Sequence, residues 1–386
     1  MITKITSLIM SVIMFLVPWA NIPKVEIDKS QWNTEYTNVF VHGLGGWGEY
    51  DLTYYLAPYW GVMGGDLMKY LNARGFDCAA ASVDPSGSAW DRACELYAQL
   101  AGTRVDYGKA HSEKHNHARY GKNYSCCPLV REFDSEHKIN LFGHSFGGAT
   151  ILMLLDLLAD GSETERAATP ADELSPLFEG GKGDYVYSIT TLAAPMNGTT
   201  AINARDAINA DPDATLAEHT VVFMLESLAY SHQKDRTFED TAGYDMEIDV
   251  AMKMLDGFET QSDVYYFSVP CCATETVDGV TTPKGEMIED IYEAAAGRMS
   301  VITGTTAGGY TFDESWQPND GLVNTISARA PFNAPQKDFD ADSVEKGMWN
   351  VYPVYEGDHM ALMGDMLLTR NIRELYVDMI NTINMQ

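Results

Sequence analysis

Gly143-His144-Ser145-Phe146-Gly147-Gly148 sets a serine between glycines two positions to either side. The β-prone run His137 to Phe142 precedes it and the helical run Ala149 to Ala159 follows. G-x-S-x-G between a strand and a helix is the pattern of a nucleophile elbow. Such a turn lifts the serine Oγ above a sheet, and side chains at the flanking positions would collide with neighbouring backbone. It also sets Ser145 at a helix N-terminus, where free N–H groups favour developing negative charge. A serine that merely starts a helix is the plain alternative; strand, helix and the extra Gly148 together favour a nucleophile.

A hydroxyl is a poor nucleophile without a base, and this elbow takes its partners in the order serine, acid, histidine. Only His219, His232 and His359 follow it. His359 lies in Glu356-Gly357-Asp358-His359, where a loop after the last strand would deliver the base; the other two fall in a helical insertion and read as surface residues. Asp320, in Pro318-Asn319-Asp320-Gly321-Leu322-Val323, stands among turn formers before a β-prone run. Asp358 is its rival, but adjacent residues on an extended segment point apart, so Asp320 is preferred to orient the imidazole and stabilise the imidazolium. Two backbone donors should complete the site: the N–H of Phe146 and that of Leu44, in the early glycine loop His42-Gly43-Leu44-Gly45-Gly46. The side chains of Leu44 and Phe146 are expected to line an acyl pocket.

These residues need a scaffold that brings distant loops to one place. Strands are expected at Asn38 to Val41, Asp77 to Asp84, His137 to Phe142, Tyr185 to Ala193 and Val264 to Val269, with helices at Gly64 to Ala73, Ala89 to Leu100 and Ala149 to Ala159. Strands alternating with helices predict an α/β fold with a mostly parallel sheet covered on both faces. Residues 107–125 are polar and histidine-rich, an excursion from that sheet, and 198–258 read as a mainly helical cap. No internal repeat or low-complexity linker interrupts the chain, so 21–386 reads as one elaborated domain.

With 55 acidic against 26 basic residues, the formal net charge is −29. Such a surface repels phosphate backbones and anionic membranes, which argues against nucleic-acid binding. Ile5 to Val17 is an apolar run after a lone Lys4, shorter than the roughly 20 residues a spanning helix wants. Residues 1–20 therefore read as an export signal, and no stable membrane insertion is expected after its removal. Cys126-Cys127 and Cys271-Cys272 are adjacent pairs while Cys78 and Cys94 stand alone. No pairing follows from these spacings, a bridge between the adjacent pairs being one geometry open to them.

Several longer words resemble the thermoalkalophilic bacterial lipase family of Bacillus, Geobacillus and Staphylococcus type. They are His42-Gly43-Leu44-Gly45-Gly46-Trp47-Gly48, Trp90-Asp91-Arg92-Ala93-Cys94-Glu95-Leu96-Tyr97-Ala98-Gln99-Leu100, Val105-Asp106-Tyr107-Gly108 and the segment His111 to Gly121. Leu174-Ser175-Pro176-Leu177-Phe178-Glu179-Gly180-Gly181, Gly198-Thr199-Thr200, Asn319-Asp320-Gly321-Leu322-Val323-Asn324-Thr325 and Lys346-Gly347-Met348-Trp349-Asn350 extend the likeness. The resemblance implies an α/β-hydrolase fold, a Ser145–His359–Asp320 triad and hydrolysis of esters or lipids, with polyesters as a further substrate class. It also implies a zinc ion held by Asp91, His111, His117 and Asp240, with Asp245 the rival for the last place. His111, His115 and His117 alone could equally form a polar loop. Four protein ligands leave no open coordination position, so this zinc would be structural. The glutamate that family members use for calcium, two residues after the histidine, is Ala361 here. Asp365 remains nearby, and calcium is not expected. The stretch between Thr200 and Asp240 is shorter than the family's helical lid, which argues for an open cleft serving soluble esters.

The expectation is thus a secreted ester hydrolase. A non-catalytic exported protein of the same fold would lack a triad member, and all three are present. A catalytic-zinc hydrolase would show an H-E-x-x-H word or a vacant ligand position, and neither is found.

Overall fold

The computed structural model describes residues 27–61, 65–230, 236–285, 290–364 and 372–386. The N-terminal leader, His232 and Asp365 lie outside the described residues. Seven parallel strands form the central sheet: β1 (Thr37–Val41), β2 (Cys78–Ala81), β3 (Ile139–His144), β4 (Val186–Leu192), β5 (Tyr265–Val269), β6 (Gln336–Asp338) and β7 (Trp349–Val351). Their spatial order is β6-β7-β5-β4-β3-β1-β2. The helices that matter for the site are α1 (Leu67–Asn72), α2 (Ala89–Ala101), α3 (Lys109–His115), α4 (Phe146–Ala159), α5 (Ala201–Ala210), α6 (Leu216–Ala229), α7 (Asp290–Met299) and α8 (Arg373–Met385). This is the α/β-hydrolase arrangement that the sequence predicts.

Alternation along each strand divides the interior. Val39, Val41, Ile139 and Leu141 join one core with Leu96, Leu100, Leu154 and Leu158 of α2 and α4. Phe40, Phe142 and Ala80 face the other core, with Leu71 of α1 and Tyr376 and Ile380 of α8. Burial on both faces explains why the strands read as nearly continuous apolar runs. Each fully buried aliphatic or phenyl side chain contributes about 1.5–3 kcal/mol.

The strand order decides where the site lies. The chain leaves β1 for the β2 edge, then returns across β1 to β3 and continues the other way. Ligands in open parallel sheets bind beyond the carboxyl ends of the strands at such a reversal. Here those ends carry the glycine loop at His42 and the serine at position 145.

Three features were not anticipated from sequence. Edge strand β6 and its neighbour β7 are three residues each, and Gln336-Lys337-Asp338 carries no apolar pattern. The β-prone run after Asp320 forms no strand. Asp320 Oδ1 accepts from the N–H groups of Leu322 and Val323 at 3.0 and 2.7 Å, which folds the segment into a turn and withdraws those donors from a ladder. The six cysteines are all free thiols: Cys126 and Cys127 are exposed in the excursion, and Cys271 is buried near the sheet end. Residues 104–123 do leave the main sheet, as an antiparallel pair (Arg104–Asp106 with Tyr120–Asn123) bracketing α3. Among the described residues no helix is long and apolar enough to cross a membrane.

Candidate active site

Ser145 sits between β3 and α4 with φ 54° and ψ −130°, a conformation that a non-glycine residue adopts only when its surroundings impose it. The surroundings do so through close packing. A Cβ on Gly143 would lie 2.5 Å from the Gly147 carbonyl oxygen, and one on Gly147 would lie 2.3 Å from the Val41 carbonyl oxygen. The Ser145 N–H is tied to the Leu192 carbonyl at 2.8 Å. Sequence pattern and local geometry agree here.

Loops from opposite ends of the chain converge on this serine. His359 Nε2 lies 2.8 Å from Ser145 Oγ, and His359 Nδ1 lies 2.9 Å from Asp320 Oδ2. The backbone adds a second link, the His359 N–H donating to the Asp320 carbonyl at 2.8 Å. Asp320 is fully buried, and Ser145 and His359 are only 6% and 3% exposed. Asp358 points elsewhere; its Oδ1 accepts from the Met360 N–H at 3.0 Å. His219 is exposed on α6. Such an arrangement can move a proton from the hydroxyl to the imidazole while the carboxylate fixes which ring nitrogen is free to receive it.

The glycine loop passes directly beside the serine. A Cβ on Gly43 would stand 2.7 Å from that of Ser145. Among the described residues, neither the Leu44 nor the Phe146 N–H donates to another backbone carbonyl. His42 stiffens the loop. Its Nε2 accepts from the Val83 N–H at 3.2 Å, so Nδ1 carries the proton that bonds the Gly43 carbonyl at 2.8 Å. Burial, with the Arg92 cation adding to it, lowers the His42 pKa to about 3. Arg92, fully buried on α2, was missed as a site residue: its guanidinium donates to the carbonyls of His42 and Asp84 and to Thr150 Oγ1. A buried cation within the Trp90-Asp91-Arg92 word was the available signal, since such a charge is retained only when every donor is occupied.

Cap helix α6 reaches this loop. A Cβ on Gly45 would reach Leu228 Cδ2 at 2.8 Å, and Leu44 packs against the buried cluster that includes Phe146 and Ala229. The C-terminal end of α6 therefore packs against the glycine loop. On the far side Arg298 of α7 pairs with Asp211 at 2.6 Å and with Glu218, anchoring both cap helices.

A second cluster lies beside α2. Asp91, His111, His117 and Asp240 each present a donor atom, all within 4.8 Å of one another. His117 Nδ1 bonds the Ala118 carbonyl at 3.0 Å, so Nδ1 holds the proton and the Nε2 lone pair faces the cluster. That Nε2 and Asp240 Oδ2 are buried with no hydrogen-bond partner among the described residues. Orphaned buried acceptors of this kind call for a bound cation, and two imidazoles with two carboxylates suit one. This group could hold a metal. His115 is not in it; its Nδ1 meets Thr237 Oγ1 at 2.6 Å and its ring lies tilted against that of His111. Asp245 is not in it either. Its Oδ2 accepts from the Ala89 N–H at 2.7 Å, at the start of α2, and burial raises its pKa to about 7. Arg236, not singled out in the sequence, donates to Asp91 Oδ2 at 2.9 Å and Asp84 Oδ2 at 3.1 Å.

Comparison with known proteins places the chain in a family. The curated lipase of Staphylococcus hyicus is 32% identical over 357 residues, covering 85% of this chain and 53% of that protein. The chain thus spans about half the length of the curated relatives it matches. Among solved structures, EstA from Clostridium botulinum superposes with a TM-score of 0.79 at 30% identity, covering 97% of this chain and 94% of that one. Lipase 1 from Pelosinus fermentans gives 0.72 at 30% identity, covering 91% and 98%. Residues 34–215 and 231–384, which carry the serine, its two partners and all four members of the metal cluster, match the family described as lipase-like, C-terminal domain, and the chain belongs to it.

Proposed function

We propose that this chain is a secreted carboxylic ester hydrolase, a lipase or esterase that works through Ser145, His359 and Asp320. The observation that carries the reading is the alignment of Ser145 Oγ, both ring nitrogens of His359 and Asp320 Oδ2 through contacts of 2.8 and 2.9 Å. Ser145 Oγ attacks the ester carbonyl as His359 Nε2 takes its proton. The tetrahedral oxyanion is held by the N–H groups of Leu44 and Phe146, the latter at the N-terminus of α4. His359 returns the proton to the leaving alcohol, which departs and leaves an acyl-Ser145 ester. Water, deprotonated by the same imidazole, then releases the acid. Asp320 stays ionised throughout and stabilises the imidazolium.

Substrates in this reading are acyl esters and glycerides, with polyesters among them, because the cap is short. A panel of p-nitrophenyl esters from acetate to long-chain acyl, with tributyrin and a polyester film, tests it. The expected result is turnover of dissolved short esters and a tributyrin rate that rises smoothly through the solubility limit. A rate that jumps only once droplets form would overturn the soluble-ester reading. The apolar run Ile5 to Val17 would carry the enzyme out of the cell, a point that N-terminal sequencing of protein from the medium decides.

The metal in this reading is zinc, bound by Asp91, His111, His117 and Asp240. Its chemistry would be that of a structural cross-link between α2, the α3 excursion and the segment Phe238–Asp240. A site saturated a thousandfold above its Kd stabilises by about 4 kcal/mol, or about 5 °C in Tm for a chain of this size. Chelation should therefore lower Tm by that amount while turnover at low temperature persists. Immediate loss of turnover in a protein whose circular dichroism is unchanged would instead make the metal catalytic.

A further inference from the structure

His144, the residue before the nucleophile, is buried and takes no part in the proton transfer above. Its ring spans the two arms of the site. Nε2 lies 2.9 Å from the His359 carbonyl oxygen, and Nδ1 lies 2.8 Å from Tyr59 Oη. Tyr59 Oη in turn accepts from the Gly43 N–H at 2.9 Å. Gly43 immediately precedes Leu44 in the glycine loop.

The proton positions follow from chemistry. A carbonyl oxygen can only accept, so Nε2 must carry hydrogen. A neutral imidazole then leaves Nδ1 as an acceptor, which fixes the Tyr59 O–H as its donor. The Tyr59 oxygen still has lone pairs for the Gly43 N–H. The chain therefore runs one way: Gly43 N–H to Tyr59, Tyr59 O–H to His144, His144 Nε2–H to the His359 carbonyl. No link can reverse without breaking another.

We propose that Tyr59 and His144 form a one-way hydrogen-bond relay that fixes the glycine loop and the backbone of His359 relative to one another across Ser145. Both are positioning residues for ester hydrolysis, and the inference rests on the reading of His359 as the base. His359 is gripped on both sides of its own peptide unit, its N–H by the Asp320 carbonyl at 2.8 Å and its C=O by His144. Asp320 sets the ring's tautomer, while the relay sets where the ring stands relative to the oxyanion donors. Burial, with His359 nearby, holds the His144 pKa well below the usual histidine range, so the neutral tautomer persists across the working pH. Trp60 packs edge-on against the His144 ring, at 81° and 6.2 Å between centroids.

The alternative is a core histidine that is satisfied and catalytically indifferent. Kinetics separates the two. Tyr59→Phe, His144→Phe, His144→Gln and the Tyr59→Phe/His144→Phe double variant are compared with the parent and Ser145→Ala, on p-nitrophenyl butyrate and well below each variant's Tm. A misplacement near 1 Å lowers turnover about a hundredfold. The expected result is a kcat loss of about 10- to 100-fold in Tyr59→Phe and His144→Phe, with KM within about threefold. Members of one relay are not additive, so the double variant should lose no more than the worse single one. His144→Gln, whose amide can both accept from Tyr59 and donate to the carbonyl, should recover part of the loss.

A kcat within threefold of the parent in Tyr59→Phe overturns the relay, as does a rise in KM in place of the fall in kcat. Multiplied losses in the double variant overturn it equally. Tyr59→Phe removes a single hydroxyl and keeps the test decisive if His144→Phe fails to fold. Turnover retained by Ser145→Ala would instead overturn the underlying serine mechanism, which separates that failure from the failure of the relay.

Discussion

Ser145→Ala is expected to lower kcat for p-nitrophenyl butyrate by about a millionfold, the scale seen when a serine nucleophile acting within a triad is removed. The change deletes one oxygen and keeps Cβ in place on a turn that the glycines at 143 and 147 already enforce. Ser145 Oγ contacts His359 Nε2 at 2.8 Å, so losing that buried hydrogen bond should cost about 1–3 kcal/mol and leave the fold intact. A residual acceleration over water should remain, because the N–H groups of Leu44 and Phe146 still polarise a bound carbonyl. Steady-state rates with circular dichroism of the same sample decide the matter. A folded Ser145→Ala protein that retains more than about one part in a thousand of parental kcat would end the serine mechanism.

Asp320→Asn should lower kcat about ten-thousandfold with KM little changed. The reason is specific to this loop. Oδ1 of Asp320 accepts the N–H groups of Leu322 and Val323 at 3.0 and 2.7 Å, while Oδ2 meets His359 Nδ1 at 2.9 Å. An asparagine has one oxygen, and the two backbone donors claim it. The amide NH₂ must then face His359 and donate to Nδ1, so the imidazole proton moves to Nε2. In that tautomer Nε2 points a hydrogen at Ser145 and cannot act as a base. The shape of the site survives while its proton is on the wrong nitrogen. Initial-rate kinetics at neutral and mildly alkaline pH measure the effect, and a loss below about tenfold would show that Asp320 does not set the tautomer.

The metal cluster shows where local reading stops. Three histidines spaced within α3 and its C-terminal turn are visible in any sequence, yet only His111 and His117 face Asp91. His115, one turn after His111 on the same face of α3, reaches past the cluster to Thr237, while the left-handed Asn116 ends the helix and brings His117 in. Choosing between Asp240 and Asp245 needed the register of the segment that lies across the start of α2. There Asp240 accepts from Ser88 Oγ at 2.6 Å, and Asp245 is spent on the Ala89 N–H.

The sequence by itself determined the elbow, its glycines and the alternation of parallel strands with helices. These follow from interactions between residues close in the chain, where steric clashes, strand periodicity and a helix N-terminus act within a few positions. The serine, the base and the glycine loop were legible for the same reason, each tied to a local motif at the end of an apolar strand. Tertiary structure alone decided the rest. Strand β7 and edge strand β6 are too short to announce themselves, and they exist because β5 offers a ladder to β7 and β7 offers one to β6. The turn at Asp320 replaced a β-prone run because one carboxylate oxygen captured two backbone donors. Arg92, Tyr59 and His144 became part of the site only when the reversal of strand order at β1 and β3 brought Gly43, Ser145 and His359 together. Most of their partners are backbone carbonyls and amides, which every residue carries, so apart from the cation in the Trp90-Asp91-Arg92 word the side-chain pattern did not point to them.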